Sequence, residues 1–376
     1  MLPRHAYVHV PFCARRCAYC DFSIAVRRVV PVREYVDSLR AELALRFGAA
    51  SGERWELDTL YFGGGTPSRL GAEGVAELVG AVRARATLAD DAEVTLEANP
   101  EDVDAASVER WRRAGVNRLS LGVQSFDDRV LAWMHRTHDA AAAERAVRAA
   151  RAGGIDNISI DLIYAIPASV PRDWERDLRR ALDLEPAHLS VYGLTVEPAT
   201  PLGRWTSRGA VLESPEEQHE QEFLLANSLL GSAGFRHYEV SNYAGGGGPS
   251  RHNSAYWRGA AYAGLGPAAH EFDGTGRRRW NVGPYAEWVR RLAAGSDPVE
   301  GSEELTEANR TAEGVYLALR CDAGVELTAA EAERVRPWVR AGWATIDPRD
   351  GRMRLTPSGW LRLDALAADL TLFRSR

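Results

Sequence analysis

The sequence predicts an α/β fold, a partial (β/α)6 barrel followed by a smaller C-terminal winged-helix-like α+β domain. Three observations lead there. Short β-rich runs alternate with apolar patterns of helical period over the first two hundred residues, which argues for parallel βαβ units. Polar and small residues gather just before, at or just after the ends of those runs, where a barrel carries its active site. The pattern changes beyond residue 200, and 376 residues is more than one compact domain commonly holds.

The elements follow in order. Strands are predicted at Ala6–Val10, Thr59–Phe62, Glu93–Glu97, Arg118–Val123, Asn157–Leu162 and His188–Leu194. Helical patterns lie between them at Tyr35–Phe47, Ala72–Val82, Val108–Ala114, Ala141–Ala152 and Trp174–Leu182. Six units are too few for a closed eight-fold barrel. A helix is expected over Glu216–Leu230, then a strand near His237–Tyr243. Gly245–Gly248 is a glycine run that reads as a loop, and an aromatic, histidine-rich stretch, Arg251–His270, comes next. From about Glu303, helices at Ala308–Leu319 and Ala329–Ala341 precede a hairpin, Ala344–Asp347 and Arg352–Leu355, joined by a Pro-Arg-Asp-Gly turn. A helix over Ser358–Leu370 closes the wing-bearing unit. The expected divisions are 1–240 for the barrel, 241–300 for a connecting region and 301–376 for the C-terminal domain.

Hydrophobic residues are 45% and charged residues 26%, ordinary for a soluble globular protein. A net charge of −6 speaks against a general nucleic-acid binder. All 46 basic residues are arginine, which excludes Schiff-base chemistry and a lysine base. The chain contains no apolar stretch long enough for a transmembrane helix, and residues 1–10 lack the apolar core of a secretion signal, so a cytosolic protein is expected. Four cysteines in a chain this long make no disulfide framework.

Three of those cysteines are clustered. Cys13-Ala-Arg-Arg-Cys17-Ala-Tyr-Cys20 has the spacing C-x3-C-x2-C. Closely spaced thiolates hold iron–sulfur clusters. Three of them leave one iron of a four-iron cluster open to a small chelating molecule. A structural zinc site would want a fourth ligand, which His9 could supply from within the first strand. Arg15 and Arg16 either offset a cluster's negative charge or are solvated surface arginines.

This spacing resembles that of the radical SAM superfamily. The resemblance implies a [4Fe–4S] cluster on Cys13, Cys17 and Cys20, with S-adenosylmethionine (SAM) on the open iron. The flanking motifs resemble one branch, the coproporphyrinogen III oxidase-like proteins. Tyr7-Val-His-Val-Pro-Phe-Cys13 matches that branch's approach to the cluster and implies a SAM contact at Tyr7, with further ones near Tyr19 and Phe22. Gly63-Gly-Gly-Thr-Pro67 matches its glycine motif, which implies that Gly64, Gly65 and Thr66 lie against the amino-acid part of SAM. Glu97, Gln124, Arg136 and Asp161 complete the implied set, and Thr195 aligns with one more contact position.

The branch holds two functions. One is the oxygen-independent coproporphyrinogen III dehydrogenase, which decarboxylates two propionates to vinyl groups. The other belongs to the HemW haem-binding chaperones. Three features favour the second. The dehydrogenase carries a fourth cysteine two residues after the third, where this chain has Phe22. It carries a long N-terminal segment, whereas here the first cluster cysteine is residue 13. His252-Asn-Ser-Ala-Tyr-Trp257 matches the HNxxYW signature of the chaperones. The resemblance covers nearly the whole chain. It implies haem as a further ligand, acceptors among membrane respiratory proteins, no dehydrogenase activity, and a cytosolic protein that meets the membrane peripherally on delivery.

His252 is then the candidate haem ligand, since imidazole suits haem iron. Tyr256 and Trp257 offer flat apolar surface, and His270 is a second candidate. Read without the family, His252 and Asn253 hydrogen-bond a loop while Tyr256 and Trp257 pack in a core. A nucleic-acid-modifying enzyme of the superfamily, using the wing, is a third reading that the nearly balanced charge over 301–376 opposes. Cys321 reads as a buried core residue.

Overall fold

The computed structural model describes residues 2–48 and 55–375. Its frame is a twelve-stranded sheet. In chain order the strands are β1 (His5–Val10), β2 (Trp55–Gly64), β3 (Ala86–Ala98), β4 (Arg118–Gln124), β5 (Ile158–Tyr164), β6 (His188–Gly193), β7 (Arg236–Glu239), β8 (Asn242–Ala244), β9 (Tyr262–Leu265), β10 (His270–Phe272), β11 (Arg277–Asn281) and β12 (Val299–Glu304). Across the sheet they run β12-β11-β10-β9-β1-β2-β3-β4-β5-β6-β8-β7.

The strands β1 to β6 are parallel neighbours, with Tyr7 beside Tyr61, Tyr61 beside Thr95, and Asp161 beside Ser190. Helices Val32–Arg46, Gly71–Arg83, Ala105–Ala114, Ala140–Ala152 and Trp174–Asp183 return the chain between them. Local chemistry sets where three of these begin. Asp104, Asp139 and Asp173 each accept a backbone N–H of the first turn, satisfying a donor that the helix cannot.

Period-two alternation decides what each strand face does. Leu119, Leu121, Val123, Ile158, Ile160, Leu162, Leu189 and Val191 lie in the apolar core. The residues between them, Arg118, Ser120, Gly122, Asp161, Ser190 and Tyr192, line an interior cavity. Barrels of this class commonly fill that interior with branched apolar side chains; here it is polar.

Two features extend the predicted elements. β3 starts at Ala86 instead of Glu93. Strands β9 to β12 add to the β1 edge, β9 parallel to β1 with Gly264 beside Tyr7, so residues 241–300 continue the same sheet. The C-terminal unit comprises helices Glu307–Arg320 and Ala329–Arg340, the hairpin Ala344–Ile346 with Met353–Leu355, and helix Leu363–Arg374. Capping boxes at Thr306 and Thr328 start its first two helices. Trp360 packs the unit on β7, its ring meeting His237 at 4.3 Å, while its indole N–H donates within the unit to the Leu319 carbonyl at 3.0 Å. Cys321, expected in a core, is only partly buried, beside Glu239.

Candidate functional site

After β1 the chain passes Pro11 into a loop whose base is closed by two short parallel segments, Phe12–Cys13 and Ala25–Val26. The Ala25 N–H donates to the Pro11 carbonyl at 2.7 Å and the Arg27 N–H to that of Cys13 at 3.0 Å. Within the loop, the Ala18 N–H donates to the Met134 carbonyl at 3.0 Å, tying the cysteines to the segment after β4. Cys13, Cys17 and Cys20 line a cavity of ≈ 490 Å³ at the C-terminal ends of the barrel strands. Burial raises the Cys13 pKa and pushes that of Cys20 up to about 11, so ligation as thiolate releases protons.

The glycine motif ends β2 and seats this loop. Gly64 has φ +117°, in the region that favours glycine, and its N–H donates to Glu97 Oε2 at 3.1 Å. The Gly65 N–H donates to the Val10 carbonyl at 2.8 Å. A Cβ on Gly65 would stand 2.6 Å from the Pro11 oxygen and 3.0 Å from Cys13 Sγ. Thr66 Oγ1 lies 3.5 Å from Cys13 Sγ.

Two carboxylates face the cavity from β3 and β5, on either side of β4. Glu97 accepts from Tyr61 Oη at 2.8 Å, and burial pushes its pKa up to about 7. Asp161 accepts from Ser120 Oγ at 3.0 Å and Ser159 Oγ at 3.2 Å. Burial raises its pKa too, against the pull of those hydroxyls and of Arg118. Arg136 spans from strand ends to cluster loop. Its Nη1 lies 3.5 Å from Cys17 Sγ, its Nη2 donates to Asn99 Oδ1 and the Gly122 carbonyl at 2.6 Å each, and its Nε is buried without a partner. Burial alone would lower the Arg136 pKa; Tyr19 and Cys17 beside it reverse the sign.

Ten of the eleven residues expected around SAM line this cavity: Tyr19, Phe22, Gly64, Gly65, Thr66, Glu97, Gln124, Arg136, Asp161 and Thr195. Tyr7 does not. Its ring stacks on Tyr61 at 6.1 Å and its Oη meets His9 Nδ1 at 3.1 Å, behind the glycine motif. Sequence reasoning missed Arg118, Ser120 and Tyr192. Arg118 is 2% exposed and makes no side-chain hydrogen bond or ion pair to the described residues, yet it lines the cavity. The alternation in Arg-Leu-Ser-Leu-Gly-Val-Gln was the signal: Leu119 and Leu121 face the core, so Arg118 and Ser120 must face inward.

His252 sits elsewhere. It belongs to a short helix, Arg251–Trp257, that closes the base of the barrel. The Glu93 carboxylate accepts the Arg251 N–H at 2.9 Å and the His252 N–H at 3.0 Å. His252 is 1% exposed, with Nδ1 2.7 Å from Thr59 Oγ1 and Nε2 2.8 Å from Tyr256 Oη. Burial holds its pKa down to about 3. Both ring nitrogens are engaged, one by Thr59 on β2 and one by Tyr256 on the same helix, so in this arrangement His252 has none free for iron. His270 is exposed and stacks on Trp280 at 5.7 Å, away from this cavity. Only Asn253 of the motif reaches the cavity wall.

The donor set fits a cysteine-held iron–sulfur cluster with an amino-acid ligand beside it. Three thiols, a backbone cradle too tight for a Cβ, an unpartnered buried guanidinium N–H and two half-buried carboxylates share one cavity. Among the described residues no three cysteine, histidine or acidic side chains converge as ligands of one metal ion. A four-iron cube takes its thiolates on separate irons and does not ask for that convergence.

Residues 7–181 match the radical SAM superfamily. The chain is 39% identical over 375 residues to the haem chaperone HemW of Mycobacterium tuberculosis, covering 98% of this chain and 95% of that one. It is 41% identical over 269 residues to HemW of Escherichia coli, covering 71% and 70%. Its backbone superposes on coproporphyrinogen III oxidase (HemN) of Escherichia coli, a radical SAM enzyme, with a TM-score of 0.82 at 21% identity over 99% of this chain and 91% of that one. That last likeness is one of fold.

Proposed function

The chain belongs to the HemW family of radical SAM proteins, and from that premise we propose that it is a haem chaperone that carries a SAM-liganded [4Fe–4S] cluster and hands haem to acceptor proteins. Cys13, Cys17 and Cys20 would hold the cluster. Gly64, Gly65 and Thr66 would hold the amino-acid part of SAM, Glu97 would accept from its amino group and Arg136 would donate to its carboxylate, while Asp161 and Gln124 would accept and donate hydrogen bonds farther along the ligand. When bound, such a cluster supplies the electron for reductive chemistry at SAM. The protein's own contribution is to orient both groups and to keep water from the polar chamber beneath them.

The observation that carries the chaperone reading over the dehydrogenase is Phe22. It lines the cavity, is 61% exposed, and stands where the dehydrogenases carry a fourth cysteine. A phenyl ring neither ligates iron nor exchanges a proton. Among the described residues no helix is long and apolar enough to cross a membrane.

A side-by-side assay tests this. Reconstituted protein given haem should develop a sharp Soret band. The same protein given coproporphyrinogen III, SAM and a strong reductant should form no protoporphyrinogen. Multiple turnovers of decarboxylation would establish the dehydrogenase instead.

A further inference from the structure

The cysteine cavity is polar and is filled, if the chain carries a cluster and SAM, by those two groups, so haem needs another place. A second cavity of ≈ 430 Å³, within the size range of small-ligand pockets, shares the Arg251–Trp257 helix with the first. Its walls are flat or aliphatic: Tyr256, Trp257, Tyr262, Phe272 and Leu317. Tyr256 and Tyr262 meet edge to face at 4.5 Å. The Trp257 indole N–H is buried and has no acceptor.

Two cations stand on the same lining. Arg278 lies over the Phe272 ring at 5.6 Å and pairs with Glu313, with Glu303 3.5 Å away. The exposed Arg310 donates only to the Thr275 carbonyl, at 3.3 Å, and has no carboxylate partner among the described residues. An aromatic slot with arginines on its lining complements a flat apolar macrocycle that carries two carboxylates.

We infer that this second cavity is the haem site, with the porphyrin plane against Trp257, Tyr262 and Phe272 and the propionates toward Arg310 and Arg278. The inference rests on the haem-chaperone reading and gives that reading a location. It also assigns new roles within the HNxxYW motif. Tyr256 and Trp257 form the wall, and His252 holds Tyr256 in place through the Nε2–Oη hydrogen bond. The cavity lining contains no imidazole; its oxygen donors for ferric iron are the Glu313 carboxylate and the phenols of Tyr256 and Tyr262, of which the Tyr256 Oη already meets His252 Nε2.

Gly314 provides a clean probe. It lies on helix Glu307–Arg320 in the cavity lining, and a Cβ built on it meets nothing within 4 Å. Haem and metal-free protoporphyrin IX are titrated into the reconstituted full-length protein and into Gly314→Trp and Arg310→Glu, following absorbance and Trp fluorescence. Gly314→Trp should weaken both ligands by about tenfold or more and Arg310→Glu by about three- to tenfold. Iron–sulfur absorbance, SAM affinity and the circular dichroism spectrum should stay unchanged. The dimethyl ester of protoporphyrin should bind more weakly than the free acid to wild type, and this preference for the acid should shrink or reverse in Arg310→Glu. If wild type binds haem and Gly314→Trp binds it just as well, the site is elsewhere and the chaperone reading survives. If wild type does not bind haem, that reading falls first.

Discussion

Alternate residues of the same strands build two quite different surfaces. Leu96, Leu121, Ile160 and Leu189 are fully buried against the helices, while their chain neighbours Glu97, Ser120, Asp161 and Ser190 line the polar cavity. A parallel strand covered by protein on both faces usually reads as a continuous apolar run. These strands alternate although both faces are covered. The outer face is completed by protein side chains; the inner face is chemically suited to be completed by ligands. The distinction separates residues that carry stability from residues that carry binding, often at adjacent positions.

The largest test of that separation is at the rim, where cluster loop and glycine motif touch. Cys17→Ala should lose most of the reconstituted iron, while Cys321→Ala keeps it. Gly65→Val should lose iron and SAM binding together, because its side chain would displace Pro11 and Cys13. Retained iron in Gly65→Val, measured by chelation and absorbance, would mean that the two motifs are independent. One strand face away, Leu121→Ala should cost about 2–5 kcal/mol of stability in a denaturant melt, with SAM affinity of the folded fraction unchanged. A parallel loss of SAM affinity would show that the two faces are coupled.

The subtlest effect is one of pH. Burial raises the pKa of Glu97 from 4.5 to about 7. The folded chain therefore holds this proton more tightly than the unfolded chain does. Its contribution is greatest below the unfolded value and is lost as pH rises through about 7, a change of about 3 kcal/mol in all. An amino group that donates to Glu97 is accepted best by the ionised carboxylate. SAM affinity should therefore rise with pH up to about 7 and then level off, and Glu97→Gln should flatten the curve. Calorimetric titration at several pH values checks this; a slope that persists in Glu97→Gln would place the amino group elsewhere.

The barrel strands were legible because their apolar residues recur every second position. The cluster loop was legible because three thiols within eight residues seldom gather without a shared ligand. Arg118 was legible in principle from the same alternation. Strands β9 to β12 were not: Tyr262–Leu265 is short, contains Gly264, and becomes a strand only by pairing with β1 from the far end of the barrel. The orientation of single rings was equally out of reach. Nothing in His252-Asn-Ser-Ala-Tyr-Trp257 reveals that Thr59 and Tyr256 occupy both imidazole nitrogens, nor does the motif at Tyr7 show that the ring packs on Tyr61.

The Arg251–Trp257 helix presents Asn253 to one cavity and Tyr256 and Trp257 to the other. A wall held in common imposes a rule of reciprocity. If occupancy of the first chamber shifts this helix and changes affinity in the second by some factor, occupancy of the second must change affinity in the first by the same factor. Glu93, which accepts the helix's first backbone N–H groups from within the barrel, is the anchor through which such a shift would be transmitted. Loading and release of cargo at one end of the molecule would then be readable as a change in cofactor affinity at the other.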